Sequence, residues 1–192
     1  MARFILKEIA RLAAATMLAM AACAPAWAEI DLLGGIPMLD AIQANDAEAV
    51  ERFLARGANI EAEDRDGRRP LIYAASVGNP DIVELLIKRR VNLDHRDALG
   101  NTALFYAATK NLSDILEILI DAGADKDIEN RQGLTPLMAA ASQGNLETVQ
   151  LLLAKGSDAT RRDYTGRTAL MWAEWARKNG IVRVLKTAGV RE

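Results

Sequence analysis

Apolar positions recur along this chain with a period of 33 residues, and we call residues that share a phase of this period a column. Two columns lie three residues apart: Val50, Val83, Leu116, Val149 and Val182 form one, and Phe53, Leu86, Leu119, Leu152 and Leu185 form the other. Spacings of three and four residues predict one buried helix face in each copy. A single copy is too short to cover such a face, so the period predicts a solenoid of stacked helical units.

A shorter apolar segment precedes each of these helices and follows a glycine. The glycine column is Gly67, Gly100, Gly133 and Gly166, and it predicts a tight turn with positive φ. Leu71, Ala74 and Ala75 then have the spacing of a first helix in the repeat. Threonine before such helices is a favourable N-cap, and proline is favoured at the first helical position. Gly78 and Gly144 suit a left-handed residue that ends this helix, with Asn45 and Asn111 in the same column.

The residues at the start of the first helix resemble the T-P-L-H-x-A motif of the ankyrin repeat. The matching segments are Thr135-Pro136-Leu137, Thr102-Ala103-Leu104, Thr168-Ala169-Leu170 and Arg69-Pro70-Leu71. The resemblance covers about residues 34–190 and implies an all-α solenoid of five helix-turn-helix units with short hairpin-like turns. Its repeats are expected at about 31–63, 64–96, 97–129, 130–162 and 163–192.

The chain departs from that motif at its histidine, which is replaced by Ile72, Phe105, Met138 and Met171. Apolar packing is therefore expected in place of a Thr–His hydrogen bond. The end repeats also differ, as terminal repeats need a more polar outer face. Lys186 and Glu174 replace apolar residues of the inner repeats, and the weak copy around Gly34 is predicted to be an N-terminal cap.

Residues 1–28 have a different pattern, typical of a secretory signal. Arg3, Lys7 and Arg11 precede an uncharged apolar run, and Ala26-Trp27-Ala28 offers small residues for a signal peptidase. Cleavage is predicted after Ala28, which leaves 29–192 as the repeat domain and a bacterial periplasmic or secreted location. The apolar run is shorter than the roughly 20 residues that cross a bilayer.

The only cysteine, Cys23, lies inside this segment and leaves one alternative open. Met20-Ala21-Ala22-Cys23 loosely resembles a lipoprotein box, in which the cysteine is lipidated. The protein would then be an envelope scaffold tethered to a membrane. Cleavage after Ala28 would instead leave a mature domain without cysteine and therefore without disulfides.

Charge and motifs argue against several function classes. The full chain carries 24 basic and 26 acidic residues, and residues 29–192 carry 21 and 25, a formal charge of −4 that does not favour nucleic acid. The single histidine, His95, lies in a loop and is expected to be a solvated surface residue. No phosphate-binding loop, nucleophile elbow or zinc motif occurs. We expect no enzyme activity, cofactor or metal, and the alternative of an enzyme or small-ligand site lacks candidate residues.

The repeat pattern therefore indicates a binding surface rather than a catalytic site, because solenoids present an extended concave face. The resemblance implies that turn tips and first helices form it. The implied partner-binding residues are Arg65, Asp66, Arg68, Arg96, Leu99, Asn101, Arg131, Gln132, Arg162, Tyr164, Arg167 and Trp175.

The arginines among these residues allow two interpretations. They could be solvated or paired with acidic neighbours such as Glu63 and Asp163, since exposed charges commonly are. They could instead form, with Tyr164, a face for an acidic protein partner, because arginine and tyrosine are enriched at interface hot spots. Trp175 could serve that face or cover the C-terminal edge. We therefore predict a monomeric, non-catalytic adaptor or stabiliser of a periplasmic protein.

Overall fold

The structure is a computed structural model that describes residues 37–189. Its described part contains ten α-helices in five consecutive pairs and no strand. The first helices of the pairs are α1 (Pro37–Gln43), α3 (Pro70–Val77), α5 (Ala103–Thr109), α7 (Pro136–Gln143) and α9 (Ala169–Trp175). The second helices are α2 (Ala47–Ala55), α4 (Pro80–Lys88), α6 (Ser113–Asp121), α8 (Leu146–Ala154) and α10 (Asn179–Thr187). The predicted all-α solenoid of paired helices is confirmed.

Several predictions fall on residues outside 37–189. The signal at 1–28, Cys23, Gly34 and the last three residues all lie outside the described residues. Among the helices that are described, none has the length and apolar character needed to cross a membrane.

The core consists of the two predicted helix faces. On the second helices, Val83, Leu116 and Val149 are fully buried, whereas Val182 of the last repeat is half-buried. The first helices stack on one another from α3 to α9, and their alanines are buried as well. Because alanine has a small side chain, the helix backbones can approach closely, and neighbouring repeats bury faces that neither could bury alone.

The helix ends follow the predicted chemistry. Thr102, Thr135 and Thr168 accept hydrogen bonds at Oγ1 from the N–H three residues on, at 3.2–3.3 Å. Arg69 takes that position in repeat two without a side-chain cap. The left-handed residue that follows each first helix is present in all five repeats, as Asn45, Gly78, Asn111, Gly144 and Arg177.

The apolar residues in place of the family histidine pack as expected. Ile72, Phe105 and Met138 are buried between repeats, and Met171 of the last repeat is half-buried. The last repeat also carries an ion pair of 2.8 Å between Lys186 and Glu174, the two polar residues predicted to cap the array.

Two series of hydrogen bonds join neighbouring repeats, one at the turn tips and one in the loops that precede the turns. At the turn tips, the N–H groups of Ala98, Arg131 and Tyr164 donate to carbonyls of the preceding tip, at 2.8–3.3 Å. In the loops, the carboxylates of Glu61, Asp94 and Asp127 accept from backbone N–H groups 31 residues on, at 2.9–3.0 Å. The repeats are therefore joined by polar contacts as well as by their apolar faces.

The turn glycines are required for two reasons. All four have positive φ, between 70° and 83°. A Cβ on Gly133 would also lie 2.7 Å from the Tyr164 nitrogen, and a Cβ on Gly100 would lie 2.8 Å from the Arg131 nitrogen. Gly166, in the last described turn, has nothing within 4 Å of that position. Every one of these turns needs the glycine conformation, and the turns of repeats three and four also need the space.

Gly133→Ala and Gly166→Ala separate these two requirements. The backbone strain is common to both variants, so Gly166→Ala should cost about 1–2 kcal/mol in unfolding free energy. Gly133→Ala should cost more, by about 1–3 kcal/mol, because the methyl group must displace the tip of repeat five. Urea unfolding followed by far-ultraviolet circular dichroism measures both costs. Equal costs would show that contact with the next tip is unimportant.

Candidate protein-binding surface

Each turn is built around the side chain of its first residue. In repeat three, Asp97 Oδ1 accepts hydrogen bonds from the N–H groups of Leu99 and Asn101, at 2.8 and 2.9 Å. Asp64, Asn130 and Asp163 likewise accept from the backbone N–H groups two and four residues further along the chain. This side chain therefore fixes the direction in which each tip leaves the array.

An aromatic side chain of the following first helix binds the second oxygen of this carboxylate. The Tyr106 hydroxyl donates to Asp97 Oδ2 at 2.6 Å, and the Trp172 indole N–H donates to Asp163 Oδ2 at 2.9 Å. Tyr73 binds Asp64 in the same way. Tyr73, Tyr106 and Trp172 share one column of the 33-residue period, but these hydrogen bonds were not predicted from the sequence. The available signal was the recurrence of the acid and the ring nine residues apart.

These bonds change the acidity of the turn carboxylates. Burial alone would raise the pKa of Asp163, but bonds from the Thr165 hydroxyl, the Arg167 N–H and the Trp172 indole hold that pKa below its ordinary value. For Asp64, too, burial acts to raise the pKa, and the Tyr73 hydroxyl leads the interactions that lower it. Both carboxylates are therefore stabilised as anions by the folded turn.

Exposed apolar and aromatic side chains lie on the predicted face. Leu99 and Tyr164 are tip residues and are 60% and 72% exposed, and Trp175 at the end of α9 is 70% exposed. The Trp175 ring meets Trp172 edge to face, with centroids 5.5 Å apart. Arg65, Asp66, Arg131 and Gln132 are exposed on the tips as well.

Asn101 was predicted to belong to this exposed face, and the structure corrects that placement. Only 6% of Asn101 is exposed. Its side-chain oxygen accepts from Asn130 at 3.1 Å, and its amide nitrogen lies 3.4 Å from the Tyr106 hydroxyl. Asn101 is therefore part of the turn interior, where it joins repeats three and four.

The arginines divide into two groups, and the first binds acceptors within the protein. Arg96 donates to the Glu129 carbonyl at 2.8 Å, and Arg162 donates to the Gly166 carbonyl at 2.7 Å. Arg68 forms a 3.1 Å ion pair with Asp66. For these three residues the interpretation as paired side chains fits the contacts, although Arg96 and Arg162 use carbonyls rather than the expected carboxylates.

The second group has no carboxylate partner within residues 37–189. Arg65 and Arg131 are exposed in the same column, two repeats apart, and neither guanidinium has an ion pair in that range. Among the described residues, the Arg167 guanidinium donates a hydrogen bond to the Thr165 hydroxyl at 3.2 Å and lies over the face of Trp172, whose ring centre is 5.3 Å away. These cations are available to an outside acceptor.

His95 differs from its predicted role as a solvated residue. Its side chain is 15% exposed, and Nε2 lies 2.7 Å from the carbonyl of Gly67 in the turn of repeat two. It therefore ties the loop that ends repeat two to the turn that begins it. Across residues 37–189, no three histidine, cysteine, aspartate or glutamate side chains are grouped closely enough to hold a metal ion.

Asp163→Asn tests the bond between the turn and the aromatic ring. The asparagine oxygen can still accept the backbone N–H groups, but its amide faces the Trp172 N–H, so we expect a loss of about 1–3 kcal/mol at pH 7. The folded-state pKa of Asp163 lies below the unfolded value of about 3.9. Its contribution is therefore complete above pH 4 and is lost as pH falls through the folded-state value.

Urea unfolding of both proteins at pH 7 and at pH 3 measures this difference, which should narrow at pH 3. Asp66→Asn is the control, because its exposed ion pair should be worth only a few tenths of a kcal/mol, about the usual value for surface pairs. A difference between the wild type and Asp163→Asn that is the same at both pH values would contradict the assignment.

Comparison with known proteins agrees with this geometry. The family model described as ankyrin repeats (3 copies) matches residues 38–130 and 122–191. No curated protein sequence matches the chain. The two matched ranges cover most of the chain and coincide with the helix pairs and turns described above. The chain therefore belongs to the ankyrin-repeat family.

Proposed function

We propose that this protein is an exported, non-catalytic module that binds an acidic protein partner on its turn tips and first helices. Ankyrin repeats generally serve as protein–protein interaction modules, and the family is typically non-catalytic. The proposal is narrower, because it specifies the face, the charge of the partner and the compartment. An adaptor or a stabiliser of a periplasmic protein would use such a face in the same way.

The observation that carries the proposal is the pair Arg65 and Arg131. Both arginines are exposed on equivalent tips, and within residues 37–189 neither meets a carboxylate. A chain of net charge −2 that keeps two uncompensated arginines in one column presents a local cationic surface. Guanidinium groups suit carboxylates because they can donate two parallel hydrogen bonds.

Exposed rings on the same face support a protein partner rather than a small anion. Tyr164 and Trp175 offer large apolar surfaces that remain in solvent, with one residue on a tip and the other on a first helix. Tyrosine, tryptophan and arginine are the residues most enriched among interface hot spots. Their combination on one face of repeats four and five is that of a protein-binding surface.

Charge reversal at both tips tests the binding face. Arg65→Glu with Arg131→Glu should reduce capture of the partner from a periplasmic extract at least tenfold, since carboxylates would then face carboxylates. Immobilised wild type and variant are compared by quantitative mass spectrometry of the retained proteins. Circular dichroism should show the same helix content, because these side chains make no ion pair within the described array.

The matched control reverses the same charge away from the tips, with Arg89→Glu directly after α4 and Arg183→Glu in α10. Both residues are exposed, and the net charge changes equally. Capture should be kept in this control. If the variant with Arg65→Glu and Arg131→Glu retains every protein that the wild type captures, the proposal is contradicted.

Export is tested separately by the mass of the mature protein. Expressed from residue 1 in a bacterial host, the protein should be recovered from the periplasm with Glu29 as its first residue, because small residues precede that bond. Intact-mass spectrometry of the periplasmic fraction identifies the terminus. A diacylated Cys23 would instead establish the tethered scaffold, and an uncut chain in the cytoplasm would contradict both forms of export.

A further inference from the structure

The second helices α4 and α6 enclose an open groove that the proposed binding face does not use. Its volume is about 550 Å³, and every described residue that lines it belongs to one of these two neighbouring helices. The apolar part of the lining is Ile87 of α4 and Ile118 of α6, which are both half-buried. We call this space the outer groove. It offers room and an apolar surface at the junction of repeats two and three.

Charged residues form the rest of the lining, and most of them are acidic. They are Glu84 and Lys88 of α4 and Asp114, Glu117 and Asp121 of α6. The helix dipole favours a carboxylate in the first turn of a helix, where Asp114 lies. The dipole does not account for Asp121, because this carboxylate lies in the last turn of α6, where negative charge is unfavourable. The acidity of the groove is therefore more than a consequence of helix ends.

Two lysines neutralise only part of this charge. Lys155 of repeat four pairs with Glu117 at 3.1 Å and with Asp121 at 2.6 Å, and Lys88 forms a 3.3 Å pair within α4. Asp114 has no ion pair among residues 37–189. The four carboxylates of the lining and these two lysines leave an excess of two negative charges. An exposed groove of this kind attracts a cationic ligand.

A smaller polar cavity adjoins the outer groove at Asp114. It has a volume of about 230 Å³, and its lining includes Asp114, Ser113 and Glu147 of repeat four. The Ser113 hydroxyl oxygen is buried and has no hydrogen-bond partner among residues 37–189. Glu147 has no ion pair in that range. The cavity thus offers three acceptors to an ammonium group, which carries three N–H donors.

We infer that the outer groove binds a basic amphipathic helix of a second protein partner. Apolar side chains of that helix pack on Ile87 and Ile118, and its lysines face the carboxylates of the groove. One of these lysines enters the smaller cavity beside Asp114. Amphipathic helices bind apolar grooves through residues three and four positions apart, which fits a groove that is apolar within and charged around.

This inference goes beyond the proposed function and does not depend on it. The outer groove shares no residue with the proposed binding face, and its charge is opposite to that of Arg65 and Arg131. One molecule can therefore bind an acidic protein by its tips and a basic protein by its second helices. Two surfaces of opposite charge would make the array a connector between unlike partners.

Two basic peptides of equal composition test the inference. The first, KALKKLLAKLLKAK, places its leucines on one face of a helix, and the second has the same leucines spread around the helix. Nuclear magnetic resonance titration of the 15N-labelled protein gives the affinity and the location of each peptide. The first peptide should bind at least tenfold more tightly and should shift the amide signals of Ile87, Lys88, Asp114 and Ile118.

Asp114→Lys tests the charge of the groove. It should weaken binding of the first peptide at least tenfold, because it places an ammonium group where the partner lysine is expected. Ile118→Ala tests the apolar contact and should narrow the difference between the two peptides. Circular dichroism checks that each variant keeps its helices. Asp114→Asn, which removes the charge and keeps the shape, replaces Asp114→Lys if that variant does not fold.

Asp40→Lys is the matched control, since it makes the same charge change at an exposed residue in the first turn of α1. It should leave both affinities unchanged. Equal affinity of the two peptides for the wild type, no binding of either, or shifts confined to the turn tips would each overturn the inference. Tighter binding by a synthetic peptide of residues 1–16 would also overturn it, because the groove would then suit the chain's own basic segment.

The two proposals fail in different ways. Arg65→Glu with Arg131→Glu should bind the first peptide as the wild type does, whereas Asp114→Lys should keep the capture of the acidic partner. A titration that Asp114→Lys leaves unchanged would reject the outer groove and preserve the proposed function. Capture that survives charge reversal at the tips would reject the proposed function and leave the peptide result untouched.

Discussion

The structure depends on burial between neighbouring repeats, because no repeat covers its own apolar faces. Val83, Leu116 and Val149 are completely buried, while the equivalent Val182, with no described repeat beyond it, is only half-buried. This difference at one column shows that the solvent is excluded by the next unit rather than by the repeat itself. The turn tips, the loops and the binding face all take their positions from that stacking.

Polar contacts give this stacking its register. Apolar faces tolerate small sliding movements, but the bonds from Ala98, Arg131 and Tyr164 to the preceding tip require one alignment. The first residue of each turn then fixes its own tip, and the aromatic ring holds that residue in turn. A sequence of short-range bonds therefore carries the regularity of the helices out to the exposed side chains.

The regular part of this molecule could be predicted from the sequence because the same residue types recur every 33 residues. The 33-residue spacing of Gly67 and its equivalents, the threonine caps and the left-handed residue at Asn45 or Gly78 follow from local chemistry. Side-chain partners could not be predicted in the same way. The burial of Asn101 and the use of carbonyls by Arg96 depend on how far the next repeat lies, which no single column records.

The pairing of each turn acid with a ring lies within one repeat rather than between repeats. Asp97 binds Tyr106 of its own repeat, whereas Asn130, which has Ala139 in place of a ring, turns its amide to Asn101 of the preceding repeat. Exchange of one arrangement for the other therefore trades a side-chain bond within a repeat for one between repeats. The strength of each junction in the array can in this way be altered at a single turn.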